Sequence, residues 1–212
     1  DVCSSDLSTQ REVVQHYVAA RQRECKWPLI ETRERIRRDT LLEAISPLSL
    51  SIYTDDPMLQ LAVNAHYNET DVGLPGAGAI ASYWSAIKSK TADAPLRIGY
   101  LSSDLREHAI GFLMSELFEL HDRKRVEIYA YYCGIPAEDA TKRRIRDAVD
   151  RWIDIGGMDD AAAARRIADD GIQILIDVNG YTRDGRTKLV ALRPAPVIVN
   201  WLGFPGSMGS PY

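Results

Sequence analysis

Residues 172–178 read Ile172-Gln-Ile-Leu-Ile-Asp-Val178, an almost wholly apolar stretch that decides the fold class. A strand this apolar is typical of a parallel sheet covered on both faces, because neither face then meets water. Outward from it, further strand-like stretches lie at 96–101, 126–132, 152–155 and 197–201. Helix-like patterns separate the strands at 107–121, 138–149 and 159–169. This alternation predicts an α/β fold with a Rossmann-like parallel sheet and right-handed crossovers.

The chain before residue 92 has a helical period instead. The predicted helices lie at 8–24, at 31–45, from Pro57 onward, and at 79–88. Asp56 is the predicted N-cap of the third helix, since Pro57 after it suits the first helical position. We therefore predict an all-helical segment over residues 1–92 and an α/β domain over residues 95–212.

Composition narrows the class of protein. Hydrophobic residues make up 45% and charged residues 26% of the 212 residues, as in ordinary globular proteins. A net charge of -4 provides no basic field for a phosphate backbone, so we expect no nucleic-acid partner. We also expect no membrane partner, because no apolar run approaches the roughly 20 residues of a membrane-spanning helix. The three cysteines have no ligand-like spacing, which favours a reducing, cytoplasmic setting and predicts no metal site.

In parallel sheets, ligands bind beyond the carboxyl ends of the strands. Three polar or glycine-rich stretches follow predicted strands here, at 102–108, 179–182 and 203–209. We expect all three to lie on one rim of the sheet. No Gly-Xaa-Gly-Xaa-Xaa-Gly follows the first strand and no Walker loop is present, which argues against a dinucleotide or ATP site.

Asp104 and His108 are the candidate catalytic pair in the first stretch. Four residues apart at the start of a helix, they can face the same cleft as a carboxylate and an imidazole. A histidine can take a proton from a hydroxyl, and a nearby carboxylate can orient it. The alternative is that Asp104 caps the helix and His108 is a surface residue.

The other two stretches have simpler interpretations. Three glycines and a proline over 203–209 would allow a sugar or phosphate to approach the backbone, or would form a plain turn. Asn179-Gly180 is a turn pair, for which we expect a packing role.

Several motifs together resemble the protein O-GlcNAc transferase family. They are Arg97-Ile-Gly-Tyr-Leu-Ser-Ser-Asp104, Asp170-Gly-Ile172, Asn179-Gly-Tyr-Thr182, Ala191-Leu-Arg-Pro-Ala-Pro-Val197 and Trp201-Leu-Gly-Phe-Pro-Gly206. The likeness covers about 95–212. It implies a chain with the last tetratricopeptide-like helices and the first catalytic half of a GT-B glycosyltransferase. It further implies an inverting transfer of GlcNAc from UDP-GlcNAc to serine or threonine hydroxyls of proteins, with no cofactor.

The resemblance also assigns residues. His108 matches a histidine proposed as general base or active-site contact, and Asp104 an aspartate proposed for proton handling. Leu202, Gly203 and Pro205 match the loop near the donor sugar, so they are the predicted substrate-binding residues. The implied partners are a nucleotide-sugar donor, a protein acceptor and a second catalytic half of the same chain. This second half is absent from these 212 residues, so the isolated chain is expected to be inactive.

The chain departs from the animal members after His108, where it has Ala109-Ile-Gly-Phe112 in place of Pro-Thr-Ser-His. It looks like a bacterial branch. Because a related plant branch uses GDP-fucose, an O-fucosyltransferase is one alternative. A non-catalytic helical-repeat scaffold for protein interaction is the other.

Overall fold

The computed structural model describes residues 11–31, 37–73 and 94–212, and they form two compact units. The first unit combines the described residues up to Asp71 with Pro205–Ser210. The second unit comprises the described residues of Val72–Phe204 together with Pro211–Tyr212. The predicted division into 1–92 and 95–212 stays a prediction, and the predicted helix at 79–88 lies outside the described residues.

The first unit is helical, as predicted. Its helices are α1 (Arg11–Arg23), α2 (Arg38–Ala44), α3 (Pro47–Tyr53) and α4 (Pro57–Tyr67). A π-helical turn, Asn68–Val72, follows α4 and ends at the first residue of the second unit. Asp56 caps α4 through hydrogen bonds from the amides of Met58 and Leu59, which confirms the predicted start. The buried side chains Val18, Leu41, Ile45 and Leu50 hold α1, α2 and α3 together. The tetratricopeptide likeness stays a prediction.

The second unit contains a five-stranded parallel sheet, which confirms the predicted fold class. The strands are β1 (Leu96–Ser102), β2 (Val126–Tyr132), β3 (Arg151–Asp154), β4 (Ile174–Asp177) and β5 (Val197–Asn200). Their order across the sheet is β3-β2-β1-β4-β5, and every neighbouring pair is parallel. The order therefore reverses at the centre, between β1 and β4.

Helices cover both faces of this sheet. They are α5 (Ala109–Leu120), α6 (Ala140–Ala148), α7 (Asp160–Asp169) and α8 (Thr187–Ala191). Met114 and Phe118 of α5 pack with Ile145 of α6 on one core cluster. Ile167 of α7 and Leu189 of α8 pack in the other. Alternate residues of β2 enter the two clusters, as the strand period of two requires.

Two helices were missed from the sequence. Helix α3 had a readable signal, because Ser46 accepts a hydrogen bond from the Ser49 amide as N-cap and Pro47 follows it. Helix α8 is only five residues long, and its N-cap residue Arg186 makes no side-chain capping bond. Without a cap or several turns, such a helix leaves no periodic pattern, and it depends on the burial of Leu189 and Val190.

Candidate functional site

The candidate site lies at the carboxyl edge of the sheet, where β1 and β4 are neighbours. The chain leaves β1 toward β2 on one side, and β4 is followed by β5 on the other. The loops after β1 and β4 therefore begin at the reversal point of the strand order, beyond which open α/β sheets bind their ligands.

The loop after β1 is held against the first turn of α5. Asp104 is buried, and its backbone amide donates to Oγ of Ser102 over 3.0 Å. A Cβ added at Gly111 would lie 1.9 Å from the carbonyl oxygen of Arg106. Only glycine at position 111 lets the loop pass this close to α5.

His108 is the N-cap of α5. Its Nδ1 accepts a hydrogen bond of 3.3 Å from the amide of Ile110, and its side chain is 41% exposed. The sequence alternative that Asp104 caps this helix is therefore wrong. Because Nδ1 accepts from a backbone N–H, the neutral imidazole carries its proton on Nε2.

Asp104 and His108 lie on the same loop but do not form a hydrogen-bonded pair. Nδ1 of His108 and Oδ2 of Asp104 are 3.9 Å apart, beyond hydrogen-bond distance. On the other side, Oδ1 of Asp104 is 3.7 Å from Nη2 of Arg106. The imidazole is thus oriented by the helix cap, whereas the spacing argument assigned that role to the carboxylate.

Asn179 makes the bond to Asp104 that the sequence did not reveal. Its Nδ2 donates to Oδ2 of Asp104 over 3.0 Å and to Oγ of Ser103 over 2.9 Å. Its Oδ1 accepts from the amide of Ser103 over 2.9 Å. The side chain is 2% exposed. The expected packing role was therefore incomplete, since Asn179 joins the loop after β4 to the loop after β1.

Asp177 shapes the turn that presents Asn179. Its Oδ1 accepts from the amides of Asn179 and Gly180 over 3.2 and 3.1 Å. Gly180 has φ of 58°, which glycine adopts without strain. Burial raises the pKa of the Asp177 carboxyl above its ordinary value, although both amides counteract this effect.

The loop after β5 brings two predicted substrate-binding residues to the same edge. The amide of Gly203 donates to Trp201 O over 3.2 Å around Leu202, whose φ is 81°. This is the rarer, strained form of γ-turn, and strain of this kind is concentrated at functional sites. A Cβ at Gly203 would lie 2.2 Å from Val178 O and 3.3 Å from Cα of Asn179. The loop thus packs directly on the end of β4.

Pro205, the third of these residues, belongs to the first unit. In that unit, Nδ2 of Asn64 donates to Ser207 O and Nδ2 of Asn68 to Met208 O. Two asparagines of the helical segment therefore bind the backbone of the glycine-rich stretch. A substrate-binding role for Pro205 stays a prediction.

The described ranges contain no group of three or more His, Cys, Asp or Glu side chains that could hold a metal ion. At the end of β2, burial raises the pKa of the Cys133 thiol to about 12, so this thiol stays protonated near neutral pH and is a poor nucleophile.

Within the described ranges, no helix is long and apolar enough to cross a membrane.

Comparison with known proteins shows the family of the chain. The model of glycosyl transferase family 41 matches residues 79–212. The chain belongs to this family. Residues Asp104, His108, Asn179, Leu202 and Gly203 all fall inside the matched part.

Relatives of the chain include proteins from plants and animals. It is 34% identical over 193 residues to the probable UDP-N-acetylglucosamine–peptide N-acetylglucosaminyltransferase SEC of Arabidopsis thaliana, covering 86% of this chain and 19% of that protein. It is 39% identical over 118 residues to the corresponding transferase of Caenorhabditis elegans, covering 55% of this chain and 10% of the relative. The chain therefore spans a fifth or less of these relatives.

A solved structure shares the fold. A mutant of the O-GlcNAc transferase of Thermobaculum terrenum superposes with a TM-score of 0.66 at 26% sequence identity. The match covers 96% of this chain and 36% of that protein. The resemblance to the O-GlcNAc transferase family is thereby confirmed.

Proposed function

We propose that this chain is part of an inverting glycosyltransferase that transfers GlcNAc from UDP-GlcNAc to serine or threonine hydroxyls of proteins. Membership of glycosyl transferase family 41, together with relatives named as peptide N-acetylglucosaminyltransferases, supports this activity. The observation that carries it is the meeting of Asp104 and Asn179 at the reversal point of the sheet.

In the proposed reaction, the acceptor oxygen attacks the anomeric carbon as the bond from that carbon to the diphosphate oxygen breaks. UDP leaves with the bonding electron pair, and the hydroxyl proton must pass to a base. General-base assistance of this kind contributes about 100- to 10,000-fold.

Asp104 is the better candidate for this base. Among the described residues, its Oδ1 accepts no hydrogen bond, and Nη2 of Arg106 lies 3.7 Å from it, beyond hydrogen-bond distance. A proton can bind there without breaking an existing bond. The basic nitrogen of His108, in contrast, is Nδ1, which already accepts from Ile110. We therefore assign His108 the role of donating a hydrogen bond to substrate through Nε2.

Leu202 and Gly203 are proposed to line the donor-sugar pocket, with Pro205 continuing it. The strained turn at Leu202 and the close backbone approach at Gly203 support a loop whose backbone is shaped to bind the donor sugar. The proposed reaction uses no metal cofactor. A second catalytic half is proposed to supply most contacts to the nucleotide, and we expect the 212-residue chain alone to be inactive.

A cytoplasmic location is part of the proposal. Cys25 and Cys133 are both free thiols, as is usual in reducing compartments.

The deciding experiment is a transfer assay with the full-length protein that contains this chain. It should be given UDP-GlcNAc or GDP-fucose and a serine- and threonine-containing peptide library. Transfer from UDP-GlcNAc with inversion is the expected result. Transfer from GDP-fucose alone would instead identify an O-fucosyltransferase, and binding of neither donor would indicate a scaffold.

A further inference from the structure

The orientation of the Asn179 amide is fixed by the structure. The Ser103 backbone N–H can only donate, so the atom that faces it must be the amide oxygen. The nitrogen therefore faces the other way, toward the acceptor Oδ2 of Asp104. A flipped amide would set two donors against each other at Ser103 and two acceptors against each other at Asp104.

The same nitrogen has further acceptors on its own loop. It lies 3.0 Å from Oγ1 of Thr182 and 3.4 Å from the carbonyl oxygen of Arg183. The Asp177 carboxyl holds the backbone of the turn by accepting from the amides of Asn179 and Gly180. If the Asn179 amide needed only hydrogen-bond acceptors for its own N–H groups, these local partners would be sufficient. The amide nitrogen has only two hydrogens for all of these acceptors, so the bond across 75 residues to Asp104 is not needed to satisfy it and has a consequence for the site.

That consequence concerns the Asp104 carboxylate. With Oδ2 engaged by Asn179, Oδ1 is left as the oxygen that can accept a proton, and the plane of the carboxylate is restrained. We propose that Asn179 is a positioning residue that acts through Asp104, holding its carboxylate so that Oδ1 is directed to the acceptor hydroxyl. This inference rests on the proposed transferase function and adds a residue to it.

Asn179→Asp tests the proposal by replacing the donor atom with an acceptor of the same shape. The bond from the Ser103 amide can remain, but two carboxylate oxygens then face each other at about the present separation and share one proton. In the full-length protein, we expect the acidic limb of kcat/KM to move to higher pH by about 1 unit or more. The matched control, Thr182→Val, removes a different partner of the same amide and should leave this limb in place.

The exchange variant Asp104→Asn with Asn179→Asp separates positioning from structure. It restores an amide facing a carboxylate, so the two carboxylates no longer share a proton, and thermal stability should return to within a few degrees of wild type. The carboxylate is now on the wrong loop, so kcat should stay at least about 100-fold low. Recovery of both stability and kcat would show that the pair is merely structural and would overturn the proposal.

A second readout does not depend on activity. The shared proton in Asn179→Asp should make its unfolding temperature fall, relative to Thr182→Val, as the pH rises from about 5 to about 8. Parallel curves for the two variants would contradict the proposed contact between residues 104 and 179. If wild type shows no transfer at all, the proposed function fails, and this unfolding comparison still tests the contact.

Discussion

Asn179 donates a hydrogen bond of 3.0 Å to Oδ2 of Asp104, although 75 residues separate the two along the chain. Asn179 follows β4 and Asp104 follows β1, the two strands at which the order of the sheet reverses. The bond therefore lies at the reversal point of the strand order, beyond which open α/β sheets bind their ligands. Because both side chains are buried, its loss is expected to cost more than a surface hydrogen bond would.

Replacing Asp104 by Asn should remove the proposed base. The amide has no basic oxygen, and its nitrogen can face Nδ2 of Asn179 as a second donor. We expect kcat to fall about 100- to 10,000-fold in the full-length protein, with a smaller change in donor affinity. Asp150→Asn, at an ion pair with Arg123 before β3, is the control and should keep kcat near wild type. A kcat within a factor of three of wild type for Asp104→Asn would remove this residue from proton transfer.

Two replacements of His108 distinguish a hydrogen-bond donor from a base. Glutamine can place a nitrogen donor near the position of Nε2 but cannot take up a proton, whereas alanine supplies neither function. We expect His108→Ala to lower kcat far more than it lowers donor binding, and His108→Gln to recover at least about 10-fold of that loss. Equal kcat values for the two variants would instead support His108 as the base. Both variants lose the cap of α5, at a cost of about 1 kcal/mol, so their stabilities provide an internal control.

Gly111→Ala should disturb the loop that carries Asp104. The added methyl group would lie 1.9 Å from the Arg106 carbonyl oxygen, so either the loop or α5 must move. We expect the free energy of unfolding to fall by about 1 to 3 kcal/mol. Gly157→Ala is the matched control, because its added Cβ meets no atom within 4 Å. Chemical denaturation of both variants is the measurement, and an equal effect of the two would contradict the close approach.

Asp177→Asn should reveal the raised pKa of this buried carboxyl. A raised native pKa means that the folded protein holds the proton more tightly than the unfolded chain does. The resulting stability is complete below the unfolded pKa of about 3.9 and is lost as the pH rises through the native pKa. Asparagine keeps the acceptor oxygen and does not titrate. The free energy of unfolding of Asp177→Asn relative to wild type should therefore increase between about pH 4 and pH 7.

Asp139 has a lowered pKa, so the pH dependence of unfolding for Asp139→Asn should have the opposite sign to that for Asp177→Asn. Burial opposes its ionisation, but the amides of Glu107 and Lys142 donate to it and lower its pKa overall. Its contribution to stability is present above the unfolded pKa and is lost as the pH falls through the native pKa. Asp139→Asn should thus lose stability relative to wild type as the pH rises from below its lowered pKa to neutrality. The same slope for both variants would contradict the assignment for Asp177.

The strands could be read from the sequence because each is a short apolar run with its own turn signals. Val126–Tyr132 was predicted with the observed bounds, and the apolar stretch around Ile174–Asp177 identified a covered parallel strand. The start of the helix at Pro57 could also be predicted, since an N-cap aspartate before a proline is a local signal. The candidate loops followed from the rule that parallel strands place their carboxyl ends at one edge.

The sequence by itself thus determined the alternation of strands and helices and the family. It also singled out Asp104, His108, Leu202 and Gly203 as candidate site residues. Only the tertiary structure decided what these side chains contact: His108 caps α5, while Asn179 rather than His108 is bonded to Asp104. The reason is physical. Periodicity and capping depend on neighbours a few residues apart, whereas the partner of a buried polar atom depends on strand order, which places positions 104 and 179 together through packing of the whole sheet.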